Sequence, residues 1–273
     1  MEYKVKKPLQ MEWTDYAKYG DTGRYYAEPK LDGERCLIVR TDSQTSIVRE
    51  NGTVKNAFYP ELAGVATRLP HHTVLDGEVC VMESDLHANF FRLMQRQTSS
   101  PLKVRLLQSS VPVTYVAFDI LQLDGVDLRQ KTLTERAGEL AQLVHKINEP
   151  KLKAMRQFDS FDLFCQNDPA KMEGIILKNI DSQYTEKRDN NWLKFKNYKE
   201  DDFKVTGVTS EKRLISALIL SDSQGSYVGK VNYTGYPQTD AWKKKLVGMT
   251  AVVKYMDTNL GKVRFPILKE LRE

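Results

Sequence analysis

The chain has 273 residues, of which 41% are hydrophobic and 28% are charged, and its formal net charge is +5. This composition is typical of a folded globular protein and excludes an intrinsically disordered chain. The sequence contains no apolar run of membrane-spanning length, and no apolar stretch follows the lysines of residues 1–10, so neither a membrane span nor a secretory signal is predicted.

The cysteines are Cys36, Cys80 and Cys165, and no Cys-x-x-Cys pair occurs. Their odd number and wide spacing argue against both a disulfide framework and a zinc site, and predict buried thiols in a reducing compartment. We therefore expect a cytoplasmic location, or the host cytoplasm if the protein is viral.

The charge is unevenly distributed along the chain. Residues 201–273 contain 12 Lys and Arg against 8 Asp and Glu, which gives this segment a net charge of +4. A small basic unit beside a nearly neutral larger one suits binding to a phosphate backbone. For Lys243–Lys245, a solvated lysine face explains the run equally well.

The first predicted strand, Tyr25–Glu28, runs into the sequence Glu-Pro-Lys-Leu-Asp-Gly-Glu-Arg at residues 28–35. Period-two alternation puts Lys30 and Asp32 on one side, and Gly33 lets the backbone turn close to a ligand. A free lysine has a pKa of about 10.4, so a nucleophilic lysine needs nearby cations or desolvation, and Arg35 is the first candidate. A solvated loop is the alternative, because Lys, Asp and Gly are common in turns.

The remaining pattern predicts an α+β fold in two domains, residues 1–199 and 200–273. Segments rich in Val, Ile, Tyr and Phe predict strands, and these are Arg35–Arg40, Thr45–Arg49, Thr73–Met82, Val113–Leu123 and Gly174–Lys178. Helices are predicted around Ala88–Gln97 and over Leu133–Ile147, the second opened by a Thr132-x-x-Glu135 capping box.

The second predicted helix carries an apolar face, formed by Leu133, Ala137, Leu140, Ala141, Val144 and Ile147. Residues 197–202 are polar and predict a linker. From Phe203 onward, short strands with turns at Ser221–Gly225, Thr234–Pro237 and Thr258–Gly261 predict a small barrel of about five strands.

Three strands of the first domain carry charged groups in a regular pattern. Asp76 and Glu78 share one face of an apolar strand, which suits a hard divalent metal. The sequence Glu173-Gly-Ile-Ile-Leu-Lys178 places a carboxylate and an ammonium on either side of an apolar run. In Trp192-Leu-Lys-Phe-Lys196 the two lysines share a face with Trp192, where an anion between them would relieve their repulsion. Edge strands with charged gatekeeper residues are the alternative in each case.

With these segments in order, the chain resembles the covalent nucleotidyltransferase superfamily, and most closely the minimal ATP-dependent DNA ligases. The resemblance covers nearly the whole chain. The matching segments are Lys30–Arg35 for motif I, Arg49-Glu-Asn-Gly52 for Ia, Asp76–Glu78 for III, Ala117–Asp119 for IIIa, Glu173–Lys178 for IV and Trp192–Lys196 for V.

This resemblance implies a role for each matched residue. Lys30 would form the lysyl-AMP adduct, Asp32 would assist the later DNA-dependent steps, and Phe118 would stack on adenine. The remaining predicted nucleotide contacts are Glu28 on the adenine edge, Arg35 and Arg49 on ribose, phosphate or the nicked strand, Lys178 in the nucleotide site, and Lys194 and Lys196 on the α-phosphate. Glu78 and Glu173 would be the sugar and metal carboxylates.

The resemblance extends to the C-terminal segment, where Arg264-Phe-Pro266 followed by Arg272 is similar to the start of motif VI. The usual Arg-x-Asp-Lys-like ending is absent, and Glu270 stands where a basic residue is often found. The implied fold is a mixed-sheet, ATP-grasp-like adenylyltransferase domain followed by an OB-fold barrel. Its predicted DNA-binding residues are Arg49, Lys243, Lys244, Lys245 and Arg264.

The implied function is ATP-dependent sealing of 3′-hydroxyl/5′-phosphate nicks, with ATP and Mg²⁺ (or Mn²⁺) as cofactors and nicked duplex DNA as the partner of a monomer. No protein partner, membrane or additional DNA-encircling domain is expected. An RNA ligase and a GTP-dependent capping guanylyltransferase share the same lysines and stay open as alternatives. A non-catalytic nucleic-acid-binding module is the alternative from another class, whereas an NAD-dependent ligase is disfavoured.

Overall fold

The computed structural model describes residues 4–20, 22–159, 172–211, 214–234, 239–259 and 261–273. The chain forms two compact units, Met1–Lys196 and Asn197–Glu273. The division lies three residues before the boundary expected from the sequence. Most of the predicted linker is strand, because the backbone from Lys199 to Asp202 pairs with residues 252–255 while its side chains stay exposed.

The secondary structure of the first unit is rich in strands. In chain order these are β1 (Leu9–Met11), β2 (Tyr25–Pro29), β3 (Glu34–Arg40), β4 (Thr45–Val48), β5 (Thr73–Cys80), β6 (Thr114–Leu123), β7 (Val126–Asp127), β8 (Leu152–Ala154), β9 (Phe158–Asp159), β10 (Gly174–Asn179) and β11 (Trp192–Lys196). The helices are a 3₁₀ helix (Trp13–Lys18), α1 (Pro60–Ala66), α2 (Phe90–Met94), α3 (Pro101–Ser110) and α4 (Leu133–Ile147).

The first unit contains two mixed sheets. One has the strand order β1-β11-β10-β2-β9, and the other has the order β4-β3-β5-β6-β7 with β8 paired to β6. Strands β1 and β8 pair in parallel with β11 and β6, respectively, and the other pairs are antiparallel. Mixed sheets with helices confirm the predicted α+β class for this unit.

Alternation along the strands sorts side chains onto opposite faces of each sheet. On the β2-β10-β11 sheet, Ala27, Ile175, Leu177, Leu193 and Phe195 form one apolar cluster. In the other sheet, Cys36 and Ile38 of β3 pack with α1 and α4, whereas Leu37 and Val39 join a second cluster that contains Trp192 of β11. Each sheet therefore has one face that packs in an apolar core and an opposite face that borders a pocket.

Helix α4 has the predicted bounds, and both hydrogen bonds of its Thr132–Glu135 capping box are present. Its buried face differs from the prediction, because Ala141 is exposed and Arg136 is buried. Arg136 donates to both carboxylate oxygens of Asp119 on β6, at 2.7 and 2.9 Å, so the face of the helix that contacts β6 includes a buried ion pair.

The other helices were less well predicted. Helix α2 is shorter than the expected Ala88–Gln97, and α1 and α3 were missed. Both missed helices begin with a proline in the first turn, Pro60 and Pro101, where the fixed φ of proline suits a helix start. That signal was present in the sequence.

The second unit contains β12 (Lys199–Glu211), β13 (Leu214–Ser221), β14 (Tyr227–Asn232), α5 (Asp240–Leu246), β15 (Thr250–Tyr255), β16 (Asp257–Asn259), β17 (Lys262–Arg264) and β18 (Ile267–Arg272). Its antiparallel sheet has the order β14-β13-β12-β15-β18, and β16 pairs with β17. Among the described residues, no pairing between β14 and β18 closes this sheet into the predicted barrel. Helix α5 was not predicted.

Three further sequence-based expectations concern turns, thiols and membrane spans. The turn at Ser221–Gly225 joins β13 to β14, whereas the turn at Thr234–Pro237 lies largely outside the described residues. Cys36 and Cys80 are buried free thiols, and Cys165 also lies outside the described residues. In the described part of the chain, no helix is both long and apolar enough to span a bilayer.

Candidate active site

The lysine of motif I lies in the turn between β2 and β3. The Lys30 backbone N–H donates to the Gly174 carbonyl oxygen at 3.0 Å, which fixes the turn against the start of β10. A Cβ atom at Gly33 would lie 2.7 Å from Glu78 Cγ and would clash with the Val79 carbonyl oxygen. Gly33 is therefore required by packing against β5, and the ligand contact expected from the sequence stays a prediction.

Lys30 is ion-paired with a neighbouring motif residue. Its Nζ atom is 2.6 Å from Glu173 Oε2, and Lys196 Nζ is 3.8 Å from Glu173 Oε1. The register explains this grouping, because Gly174 lies opposite Lys196 and Lys30 follows directly on β2. The structure thus brings together three residues that the sequence predicts to act in catalysis or metal binding.

A second predicted lysine lies one step along the same sheet face. Ile176 pairs with both Glu28 and Lys194, so these side chains form a cross-strand row. Burial lowers the pKa of Lys194, and the nearby cations Lys196, Lys30 and Arg188 lower it further. An anion in this position would relieve that repulsion.

Arg188 is a cation of this site that the sequence analysis missed. It lies in the segment between β10 and β11, where no strand or helix periodicity marks it. Only its position close before the Trp192–Lys196 motif singles it out in the sequence.

Glu28 and Lys178 form a buried ion pair on the same sheet face. Lys178 Nζ is 2.8 Å from Glu28 Oε2 and also donates to the Phe118 carbonyl oxygen at 2.9 Å. It lies 4.6 Å from the centroid of the Phe118 ring and 4.1 Å from that of Trp192. Burial raises the pKa of Glu28, whereas Lys178 and Gln157 act in the opposite direction.

Arg35 belongs to the opposing sheet and makes a bidentate contact with Asp76. Its Nε donates to Asp76 Oδ1 at 3.0 Å and its Nη2 donates to Asp76 Oδ2 at 2.6 Å. The Tyr184 hydroxyl donates to the same Oδ2 at 2.7 Å. Asp76 is fully buried, so its carboxylate serves Arg35 and Tyr184 and is not the metal-facing group expected from its alternation with Glu78.

A pocket of about 260 Å³ lies between the two sheets, and Arg35, Lys30, Lys194, Glu28 and Lys178 are among the residues that line it. Its walls combine cations with apolar and aromatic side chains, a mixture that suits a phosphorylated ligand with a flat ring. The lining residues are Pro8, Glu28, Pro29, Lys30, Leu31, Arg35, Glu78, Phe118, Met155, Ile176, Lys178, Trp192 and Lys194. Four of the described residues that were predicted for the site are not among those that line this pocket, although the last two adjoin Lys30: Asp32, Arg49, Glu173 and Lys196.

Glu78 is the second predicted metal carboxylate. Burial raises the pKa of Glu78 to about 8, with Glu173 and Asp76 adding to the rise and Lys30 and Arg35 opposing it. The described residues contain no group of three or more metal-binding side chains. Two carboxylates nevertheless fit Mg²⁺, because this ion commonly uses one or two carboxylates together with substrate phosphates and water.

The raised pKa of Glu78 predicts a pH-dependent stability. A free glutamate has a pKa of about 4.3, so the folded state favours protonated Glu78, and this contribution is lost as the pH rises from about 5 to about 8. We expect Glu78→Gln to melt above the wild type at pH 8.5, with the difference shrinking towards pH 5. Thermal unfolding across pH measures this, with exposed Glu83→Gln as the control. Parallel curves for Glu78→Gln and the wild type would contradict it.

Arg49 lies on the other side of the sheet from the pocket. Its Nε is 3.4 Å from Glu34 Oε1, and Glu34 also receives Lys55 Nζ at 3.1 Å and the Tyr59 hydroxyl at 2.6 Å. Because Glu34 and Arg35 alternate along β3, their side chains point to opposite faces. The Arg49 side chain is 46% exposed and does not line the pocket, and its predicted contact with nucleotide or DNA stays a prediction.

The remaining predicted DNA contacts belong to the second unit. Lys243, Lys244 and Lys245 form the last turn of α5, where cations also interact favourably with the helix dipole. Arg264 ends β17 and its guanidinium lies 4.9 Å from the ring centroid of Phe265. Arg272 is exposed and pairs with Glu270 at 2.9 Å.

Comparison with known proteins agrees with this geometry. Residues 13–196 match the family model of the ATP dependent DNA ligase domain. The SPbeta prophage-derived DNA ligase-like protein LigB of Bacillus subtilis (strain 168) is 30% identical over 190 residues, which cover 68% of this chain and 66% of that protein. The bifunctional non-homologous end joining protein LigD of the same organism is 25% identical over 243 residues, which cover 82% of this chain and 39% of LigD.

The fold is also shared with a solved structure from "DNA binding with a minimal scaffold: Structure-function analysis of Lig E DNA ligases". That structure superposes with a TM-score of 0.74 at 18% identity and covers the whole of both chains. The chain spans less than two thirds of the length of LigB and LigD. The family match covers more than half of the chain, and the chain belongs to the ATP-dependent DNA ligase family.

Proposed function

We propose that this protein is an ATP-dependent DNA ligase that seals 3′-hydroxyl/5′-phosphate nicks through a lysyl-AMP intermediate. The observation that carries this proposal is the position of Lys30, whose Nζ lies in the pocket and 2.6 Å from Glu173. Lys194 and Arg35 line the same pocket, and Lys196 Nζ lies 3.8 Å from the other carboxylate oxygen of Glu173.

The first step is attack of Lys30 Nζ on the α-phosphorus of ATP, which forms a P–N bond while the bond to pyrophosphate breaks. The lysine must lose a proton before it attacks, and Glu173 Oε2 is the acceptor that Nζ already contacts. Arg35, Lys194 and Lys196 neutralise the charge that develops on the phosphate oxygens.

The next two steps move AMP from Lys30 to the 5′-phosphate of the nick and then release it. The 5′-phosphate oxygen displaces Lys30 from phosphorus, and the 3′-hydroxyl of the adjoining strand then displaces AMP and closes the backbone. We assign Asp32 to these later steps. The protein acts mainly by positioning groups and supplying charge, because phosphoryl transfer needs little covalent help beyond the nucleophile.

The nucleotide base is proposed to lie at the aromatic end of the pocket. Phe118 and Trp192 are in edge contact there, with centroids 6.0 Å apart, and Phe118 would stack on adenine. Glu28, held by Lys178, would accept from the adenine edge, which distinguishes ATP from GTP. Glu78 and Glu173 would hold magnesium against the phosphates, where the ion supplies neutralising charge.

The second unit is proposed to be an OB-fold barrel that binds the DNA backbone. Its five-stranded antiparallel sheet and +4 net charge over residues 201–273 support this assignment. Lys243–Lys245 and Arg264, together with Arg49 of the first unit, would contact phosphates. We propose that the protein acts as a monomer, and the cytoplasmic location stays a prediction.

A gel assay with a labelled nicked duplex tests the proposed function. We expect sealing of nicked DNA with ATP and magnesium, little sealing with GTP, and weaker sealing of nicked RNA. Sealing of RNA in preference to DNA would favour an RNA ligase, and transfer from GTP would favour a capping enzyme. Failure to seal any strand, with no protein-AMP adduct, would leave a nucleic-acid-binding module.

The lysines of α5 provide a separate prediction. The triple variant Lys243→Ala/Lys244→Ala/Lys245→Ala is expected to raise KM for nicked DNA and to reduce the slope of log affinity against log salt by about 0.9 for each phosphate that is no longer neutralised. Lys230→Ala, which changes an exposed lysine on β14, is the control. An unchanged salt dependence would show that these lysines only form a solvated helix end.

A further inference from the structure

Lys6 is a fully buried lysine that the proposed reaction does not use. Its Nζ donates to Asp189 Oδ1 at 2.8 Å and Oδ2 at 2.9 Å, to Thr185 Oγ1 at 2.9 Å and to the Lys187 carbonyl oxygen at 3.3 Å. Three donors of an ammonium are thereby satisfied within one loop. These contacts fix Lys6 to the loop between β10 and β11. Thr185, one residue of that loop, lies 179 positions further along the chain.

The backbone of the same residue contacts Arg35 and its partners. The Lys6 carbonyl oxygen accepts from Arg35 Nη1 at 2.8 Å, and the Lys6 N–H donates to Tyr184 Oη at 3.0 Å. Tyr184 in turn donates to Asp76, the carboxylate that holds Nε and Nη2 of Arg35. These four residues form a closed ring of hydrogen bonds around one guanidinium.

The ring fixes Arg35 from two directions. Asp76 holds one edge of the guanidinium, and the Lys6 carbonyl oxygen holds Nη1. Without the Lys6 carbonyl oxygen, Nη1 would lose its hydrogen bond, and the guanidinium could tilt about the edge held by Asp76 while it stays in contact with the Phe118 ring, whose centroid lies 5.2 Å from Cζ. The segment also forms part of the pocket, because Val5 packs in the cluster that contains Trp192, and Pro8 lines the pocket wall.

We propose that Lys6 is a positioning residue for Arg35, and that residues 5–8 form an anchored wall of the nucleotide pocket. The ammonium of Lys6 acts through its own backbone: the contact with Asp189 and Thr185 holds the carbonyl oxygen where Arg35 needs it. The effect of Lys6 on the reaction with ATP rests on the proposed ligase function. The effect of Lys6 on the position of Arg35 does not.

The test compares Lys6→Met with Lys7→Met, two adjacent lysines of which only the first is buried. Lys7 is half-exposed and pairs with Glu50 at 3.0 Å. Loss of one hydrogen bond to a charged group in the transition state corresponds to about tenfold in rate or binding. We expect Lys6→Met to raise KM for ATP in adduct formation by about tenfold or more, and Lys7→Met to leave it unchanged.

A second readout follows Arg35 directly and needs no catalysis. The Nε–H resonance of Arg35 in ¹⁵N-labelled protein reports its bond to Asp76, and Arg35→Lys assigns the signal. We expect this resonance to shift and to exchange faster with water in Lys6→Met, and not in Lys7→Met. If the wild type formed no protein-AMP adduct, the proposed function would be refuted. The Arg35 resonance would still show whether Lys6 positions Arg35.

Asp189→Asn keeps the shape of the loop and weakens only the anchor of the Lys6 ammonium, without touching Asp76 or Arg35, so it decides the matter if Lys6→Met does not fold. We expect the same change in KM for ATP and in the Arg35 resonance. A lower melting temperature without either change, in whichever of the two variants folds, would overturn the proposal and leave Lys6 as an anchor for the loop alone.

Discussion

Lys30→Ala is expected to abolish the covalent protein-AMP adduct that the wild type forms with α-labelled ATP and magnesium. Among the lysines that line the pocket, Lys30 is the one whose Nζ contacts Glu173, with Arg35 and Lys194 around the same space, so we expect no neighbouring lysine to replace it. Loss of a covalent nucleophile lowers turnover by on the order of 10⁴-fold or more, and ATP-dependent sealing should fall accordingly.

The matched control is Lys146→Ala, which removes an exposed lysine in the last turn of α4. It should give adduct at the wild-type level. A nick that already carries AMP on its 5′-phosphate offers a further control, because its sealing needs no bond to Lys30. Sealing of that substrate by Lys30→Ala should therefore fall far less than sealing from ATP. Label retained on Lys30→Ala at wild-type intensity would refute the assignment of the nucleophile.

Lys178→Met is expected to destabilise the first unit and to weaken ATP binding. The change leaves Glu28 buried without its cation, and removal of one partner from a buried ion pair costs about 3–5 kcal/mol. For a unit of this size, each kcal/mol corresponds to about 2–4 °C in melting temperature. Calorimetry and ATP titration measure the two effects.

Glu28 determines how the loss of stability in Lys178→Met changes with pH. Burial already raises its pKa, and loss of Lys178 raises it further, so protonation relieves the unpaired charge. Lys178→Met should therefore lose less stability, relative to the wild type, at pH 5 than at pH 8. The double variant Glu28→Gln/Lys178→Met should recover stability at pH 8 but not ATP binding. Recovery of both would show that the pair is structural and contributes nothing to nucleotide recognition.

Local sequence patterns were sufficient to predict side-chain direction and the start of a helix, because these features depend on neighbours along one strand or helix. Alternation in Trp192–Lys196 placed Leu193 and Phe195 in the core and both lysines on the opposite face, as observed. The capping box fixed the start of α4, because its hydrogen bonds join residues only three positions apart. Resemblance of the ordered motifs to a known family then indicated which faces would meet.

Contacts between distant segments were beyond the reach of such patterns. Asp76 was expected beside a metal, but packing of β5 against β3 and the loop carrying Tyr184 made it the partner of Arg35. Arg49 was grouped with the nucleotide contacts, but its pairing with Glu34 places it on the other side of the sheet. Lys6 gave no signal at all, since it lies between Lys4 and Lys7, and lysines in such a run are usually solvated.

The sequence alone determined the fold class of the first unit, because strand alternation and capping are local properties. The resemblance of its ordered motifs to a known family then identified Lys30 as the candidate nucleophile. Only the tertiary structure decided which charges neutralise one another: Lys30 with Glu173, Lys178 with Glu28, Arg35 with Asp76 and Lys6 with Asp189. Each of these pairs joins residues far apart in the chain. The first three depend on strand pairing and register within one sheet, and the fourth depends on the loop between β10 and β11. Burial then decides how strongly each pair interacts, because it excludes water.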